Sequence, residues 1–91
     1  MADRKKEVVI KLAEPIEHGS EVITEMVVKR PKGRHLRSLP ADPSTGDMLD
    51  FAVRLAGYPP SVADDLDIDD VAQLIEAVAD FLPSSLVTGG N

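Results

Sequence analysis

An α+β fold, with an N-terminal β-hairpin followed by two main helices and one or two short helical turns, is predicted by three observations on the 91-residue chain. Apolar residues alternate with a period of two in its first third. From Asp47 onward they recur at spacings of three and four. Between these regions lies a dense run of Pro, Gly, Asp and Ser, the residues of turns.

Glu7–Leu12 reads as the first strand, with Val8, Ile10 and Leu12 on one face. Residues 13–20, carrying Pro15 and His18-Gly19-Ser20, read as a connection. The second strand runs from Glu21 to Arg30. Its period puts Val22, Thr24, Met26 and Val28 on one face, and Ile23, Glu25, Val27 and Lys29 on the other. Pro31 stops it, having no N–H to donate. Arg34–Leu39 fits a helical turn, and residues 40–46 an exposed loop. Asp47–Ala56 is the first main helix, with Met48, Phe51, Ala52 and Leu55 on its apolar stripe and Gly57 placed to end it. Ser61–Leu66 fits one short turn capped by Ser61. Asp67 or Asp69 then caps the last helix, on which Val71, Leu74, Ile75, Val78 and Leu82 form the stripe with Phe81 beside it. Pro83 ends it. One domain is expected over residues 1–83, and a flexible small-residue tail over 84–91.

Composition narrows the function. Aromatics amount to 3%, so the core is aliphatic; cysteine is absent, which excludes disulfides, thiolate catalysis and sulfur-ligated zinc. No stretch approaches the roughly 20 apolar residues that span a bilayer, and the first apolar run is broken by Lys11 too early for a signal peptide. A soluble cytoplasmic protein with no membrane partner is expected. Net charge is −6, unevenly divided: residues 1–37 carry +3 and residues 38–91 carry −9. The acidity makes nucleic acid an unfavourable principal partner, and the asymmetry favours docking within or between chains.

The side-chain constellations point away from catalysis. The densest basic patch is Lys29, Arg30, Lys32, Arg34 and Arg37, with no aromatic inside it to stack on a base. Asp65, Asp67 and Asp69 with Glu76 mimic an EF-hand spacing, but the glycine position of that loop holds Asp70, so helix capping is the better account. His18 and His35 lie in turn-like segments with no partners at ligand spacing. No cofactor, metal or catalytic residue is expected. An unpaired edge of the hairpin is a plausible surface for self-association.

Four segments resemble one known family. Ile10-Lys11-Leu12-Ala13-Glu14-Pro15-Ile16 is similar to its opening I-x-L-x-x-P-I, and Ile23-Thr24-Glu25-Met26-Val27-Val28-Lys29-Arg30-Pro31 to its I-T-E-L-x-L-R-x-P. Leu55-Ala56-Gly57-Tyr58-Pro59 matches an L-x-G-x-P hinge, and Leu66-Asp67-Ile68-Asp69-Asp70 an L-D-x-x-D start of a terminal helix. On these residues the chain resembles the small tail assembly chaperones of bacteriophages, the P2-type E protein and its Mu-type equivalent. It departs from them at Lys32–Leu36, which is basic where the family often has an acidic residue before a leucine.

The resemblance implies a non-catalytic protein of phage or prophage that binds the tape measure protein in the host bacterial cytoplasm. Such a protein solubilises its partner before the tail tube polymerises and is not retained in the virion. It also implies a longer frameshifted product, with Gly89-Gly90 near the slip site. Candidate contact residues for the partner are Met48, Phe51 and Leu55 with Val78, Phe81 and Leu82. Competing expectations are a nucleic-acid-binding regulator using residues 29–37, and a structural tail subunit.

Overall fold

The computed structural model describes residues 6–82. The predicted tail, Pro83 and Gly89-Gly90 lie outside the described residues. In chain order the elements are β1 (Glu7–His18), β2 (Glu21–Lys29), α1 (Gly33–Leu36), α2 (Thr45–Leu55), a 3₁₀ turn (Pro60–Asp65) and α3 (Ile68–Phe81). β1 and β2 form a two-stranded antiparallel sheet, and α2, α3 and the 3₁₀ turn cover one of its faces. This is the mixed α+β arrangement that the periodicities predict.

The hairpin departs from the sequence reading in one consequential way. β1 does not stop at Leu12: it continues to His18, and the expected eight-residue connection shrinks to the turn at Gly19-Ser20, with Gly19 at φ 63°. Val8 pairs with Val28 and Lys11 with Glu25, but Ile16 then pairs with Ile23. Four β1 residues, Leu12 to Pro15, therefore stand opposite Thr24 alone. This is a large bulge, and it hid the second half of the strand from a period-of-two reading.

A bulge frees backbone N–H groups that the ladder would have used, and burying them unpaired would be costly. Pro15 removes one donor. Asp70, from the first turn of α3, satisfies two others. Its Oδ1 and Oδ2 accept from the Ala13 N–H at 2.9 and 3.0 Å, and Oδ2 accepts from the Glu14 N–H at 3.3 Å. Asp70 is fully buried, at 0% exposure. Its charge is tolerated because the bulge N–H groups and the positive end of the α3 dipole both face it. Among the described residues, no buried side-chain nitrogen or oxygen lacks a hydrogen-bond partner.

The alternation of β2 breaks opposite the bulge. Met26 and Val28 face the core as expected, but Thr24 is exposed, and Ile23 rather than Val22 turns inward. Val22 is left 58% exposed. Adjacent Thr24 and Glu25 both face out, and this extra step moves the remaining residues to the opposite face.

The helices are ended by local chemistry. α1 is a single turn closed by His35, whose Nδ1 accepts from the Lys32 N–H at 2.8 Å. α2 begins two residues before the expected Asp47, because Ser44 is its cap. The Asp47 N–H donates to Ser44 Oγ at 3.1 Å, and the Ser44 N–H donates to Asp47 Oδ2 at 3.0 Å. At its far end Gly57, at φ 89°, lets the Gly57 N–H reach the Arg54 carbonyl and the Tyr58 N–H reach that of Val53, at 2.9 and 3.1 Å. That double bond pattern requires the left-handed conformation glycine supplies. Pro59, not Ser61, precedes the 3₁₀ turn as its cap residue, and Asp67 caps α3 by accepting from the Asp69 N–H at 2.9 Å.

The core joins Ile10, Leu12 and Ile16 of β1 to Ile23, Met26 and Val28 of β2. Phe51, Val53 and Leu55 of α2, Val62 of the 3₁₀ turn, and Leu74, Val78 and Phe81 of α3 complete it.

Replacing Asp70 by Ala removes the acceptor for two part-buried N–H groups of the bulge and leaves a void at a fully buried position, and should lower stability by about 3 kcal/mol. Asp69→Asn, on the exposed face of the same turn, should stay within about 0.5 kcal/mol. Urea denaturation of the two variants checks the contrast.

Candidate functional site

α3 carries two apolar stripes. Leu74, Ala77, Val78 and Phe81 are buried with Asp70 against the sheet and α2. Ile68, Val71, Ile75, Ala79 and Leu82 recur at three and four beside them. At 100° per residue the four within the helix fall within about 80° of arc, and Leu82 follows as the extended C-cap residue. Ile68 is 74% exposed, and the other four are half-buried. Val71 and Ile75 do not pack against the buried cluster, whereas Leu82 does. The result is an apolar ridge along the flank of α3. Exposed Asp69, Glu76 and Asp80 occupy the polar side of the helix.

The orientation of this ridge follows from Asp70. Its carboxylate must point at Ala13 and Glu14 of β1, which sets the rotation of α3 about its own axis. Val71 and Ile75, which the periodicity assigned to the inward stripe, are thereby turned to the flank, and Asp70 and Ala77 take inward places instead. Sequence reasoning missed Ile68 and Ala79 as surface residues, although the i, i+3, i+7, i+11, i+14 series is present in the chain. Two overlapping stripes were legible, but not which one faced the sheet.

The structure separates the six contact candidates. Phe51, Leu55, Val78 and Phe81 are interior side chains of the core, while Met48 and Leu82 are half-buried at its margin. Only Leu82 belongs to the α3 ridge. The four interior residues are occupied in holding α2 and α3 against the hairpin.

Within the basic patch, Lys29, Lys32, Arg34 and Arg37 are exposed and Arg30 is half-buried. The Arg30 guanidinium lies 5.8 Å from the centre of the Phe81 ring, in cation–π range, so it tethers the end of β2 to the C-terminal turn of α3. Lys6, Glu7, Lys29, Arg30, Pro31 and Lys32 line an open depression there. His18 makes an edge-to-face contact with Tyr58, centroids 6.2 Å apart, and His35 closes α1, so each imidazole has a local structural contact. The aspartates of the EF-hand-like run diverge: Asp67 caps the helix and Asp70 points inward. Among the described residues, no group of three or more His, Cys, Asp or Glu is arranged to hold a metal ion, and no helix is long and apolar enough to cross a membrane.

A second open surface follows the outer edge of β2. It is a groove of about 300 Å³ lined by Glu21, Val22, Ile23, Thr24, Glu25 and Val27, with Ala56 and Tyr58 as the opposite wall. The arrangement therefore offers two candidate docking surfaces, an apolar helix flank and a strand edge of mixed character.

If the flank is surface rather than core, Val71→Ser and Ile75→Ser should each cost no more than about 1.5 kcal/mol, whereas Leu74→Ala should cost about 3 kcal/mol. Chemical denaturation midpoints measured side by side distinguish the two stripes.

The sequence model of one family, described as phage tail assembly chaperone proteins, E, or 41 or 14, matches residues 9–83. No curated protein and no solved structure matches the chain significantly.

Proposed function

This chain belongs to the phage tail assembly chaperone family, and from that membership we propose that it binds the tape measure protein and keeps it soluble until the tail tube polymerises around it. Its part in tail assembly is that of a chaperone acting through protein contacts. The family match over residues 9–83, which takes in both docking surfaces, is the observation that carries the reading.

A tape measure protein is long and helical, and its apolar stripe aggregates when bare. The α3 ridge has the chemistry to cover such a stripe. Ile68, Val71, Ile75 and Leu82 supply side chains at the spacing with which one helix packs on another. Much of the ridge is half-buried before any partner arrives, so contact there covers limited apolar area. That suits a shield that must later release to the tube subunits. Asp69, Glu76 and Asp80 beside the ridge keep the complex soluble and favour a partner helix with basic flanks. The chaperone acts without catalysis, in the host cytoplasm, and leaves before the virion is complete.

The test is co-expression with the tape measure protein of the same phage, scored by that protein's soluble fraction and by co-purification. The wild-type chain should hold it in solution. Val71→Asp combined with Ile75→Asp should lower the recovered complex about tenfold or more, since an apolar contact is replaced by two desolvated carboxylates. Tape measure protein that is equally soluble without the chain overturns the reading, and recovery unchanged by the double substitution overturns the α3 ridge as the contact.

A further inference from the structure

The two edges of the hairpin are protected differently. β1 carries the bulge, Pro15 and the Asp70 carboxylate on its Ala13 and Glu14 N–H groups, all of which prevent a further strand from adding there. β2 has no proline from Glu21 to Lys29, and its only central charge is Glu25. The sheet has two strands, so among the described residues no strand pairs with the outer edge of β2. Exposed Val22 and half-buried Val27 lie along that edge, and the groove beyond it has Ala56 and Tyr58 for a wall.

We propose that this edge pairs antiparallel with the same edge of a second copy of the chain, about a two-fold axis between Thr24 and Glu25. The register places Val22 opposite Val27 of the second copy, Ile23 opposite Met26, and Thr24 opposite Glu25. This inference stands apart from the tape measure reading, which uses α3.

The register is selected by the irregularity in β2. Residues opposite one another in an antiparallel pair must share a face of the sheet. In a regular strand this two-fold would set inward residues against outward ones. Here Ile23 and Met26 both face the core, while Val22, Thr24, Glu25 and Val27 face out, so the faces match on both sides of the axis. Moving the axis onto Glu25 would set Glu25 against its own copy and inward Ile23 against outward Val27. Moving it onto Thr24 would set Ile23 against Glu25. Only the proposed register avoids both faults.

The same pairing brings the exposed valines of the hairpin into cross-strand contact. Val9 is 49% exposed and already pairs with Val27 in its own chain. Adding Val22 of the second copy beyond Val27 makes a row of three valines, and the two-fold makes a second such row. A hairpin of two strands becomes a four-stranded sheet, which is the more stable form in water.

The absence of cysteine from the chain makes the register directly testable. Val22→Cys with Val27→Cys should oxidise rapidly to a covalent dimer, because facing Cα atoms in such a pair lie about 4.5–5.5 Å apart. Within one chain the two positions are separated by about 17 Å of strand and cannot join. Val9→Cys with Val22→Cys, two strands apart in the assembly, should form no covalent dimer. Sedimentation should show a concentration-dependent dimer for the wild type, with Val22→Glu raising its dissociation constant about tenfold or more at unchanged circular dichroism. A monomer across the soluble concentration range, with no cross-link, overturns the proposal and leaves the edge to a strand of another protein. A dimer that does not cross-link through the Val22–Val27 pair overturns this interface.

Discussion

The buried carboxylate of Asp70 is the interaction on which the rest of this small structure depends. A bulge of four residues in a two-stranded sheet exposes backbone donors that no neighbouring strand can take up. Asp70 reaches the Ala13 and Glu14 N–H groups from the start of α3, where the helix dipole favours its negative charge. One side chain thereby joins the first third of the chain to the last. It also sets the angular position of α3, because the carboxylate cannot turn away without leaving both donors and itself unsatisfied.

The two candidate docking surfaces both lie downstream of that constraint. With Asp70 directed at β1, the arc holding Leu74, Ala77 and Val78 meets the sheet and α2, and the arc holding Val71 and Ile75 is left at the flank. The bulge likewise occupies the edge of β1 and resets the alternation of β2, bringing Ile23 inward and leaving Val22 outside. A helix flank and a strand edge recognise different things: the first reads side chains at helical spacing, the second reads backbone. A chaperone holding both can engage a helical partner while its hairpin remains available for a second subunit. The basic end at Lys29–Arg37 is partly structural, since Arg30 lies over Phe81 and His35 closes α1.

The elements with strong local signals were legible in the chain. α2 and α3 follow from their apolar recurrence, and Gly57 marks the end of α2 because its conformation is left-handed. Pro31 marks the end of β2, and Asp67 is one of the two caps the sequence offered for α3. The second half of β1 was not legible. Ala13, Glu14 and Pro15 interrupt the alternation, and a bulge held by a residue 57 positions away has no local signature. The contact candidates Phe51, Leu55, Val78 and Phe81 were chosen for being apolar at helical spacing, which is equally the mark of a core. In a chain of this size the core needs nearly all such residues.

By itself the sequence determined the two main helices, β2 and the first half of β1, where most of them stop, that no thiol chemistry operates, and which family the motifs resemble. These depend on short-range periodicity, turn chemistry and composition. Only the tertiary structure decided which stripe of α3 faces inward, how β1 and β2 are registered, and that Asp70 is a buried structural acceptor rather than one more surface acid. Those outcomes turn on pairing donors and acceptors far apart in the chain. A residue's polarity says that it needs a partner, and only the folded chain says which one it finds.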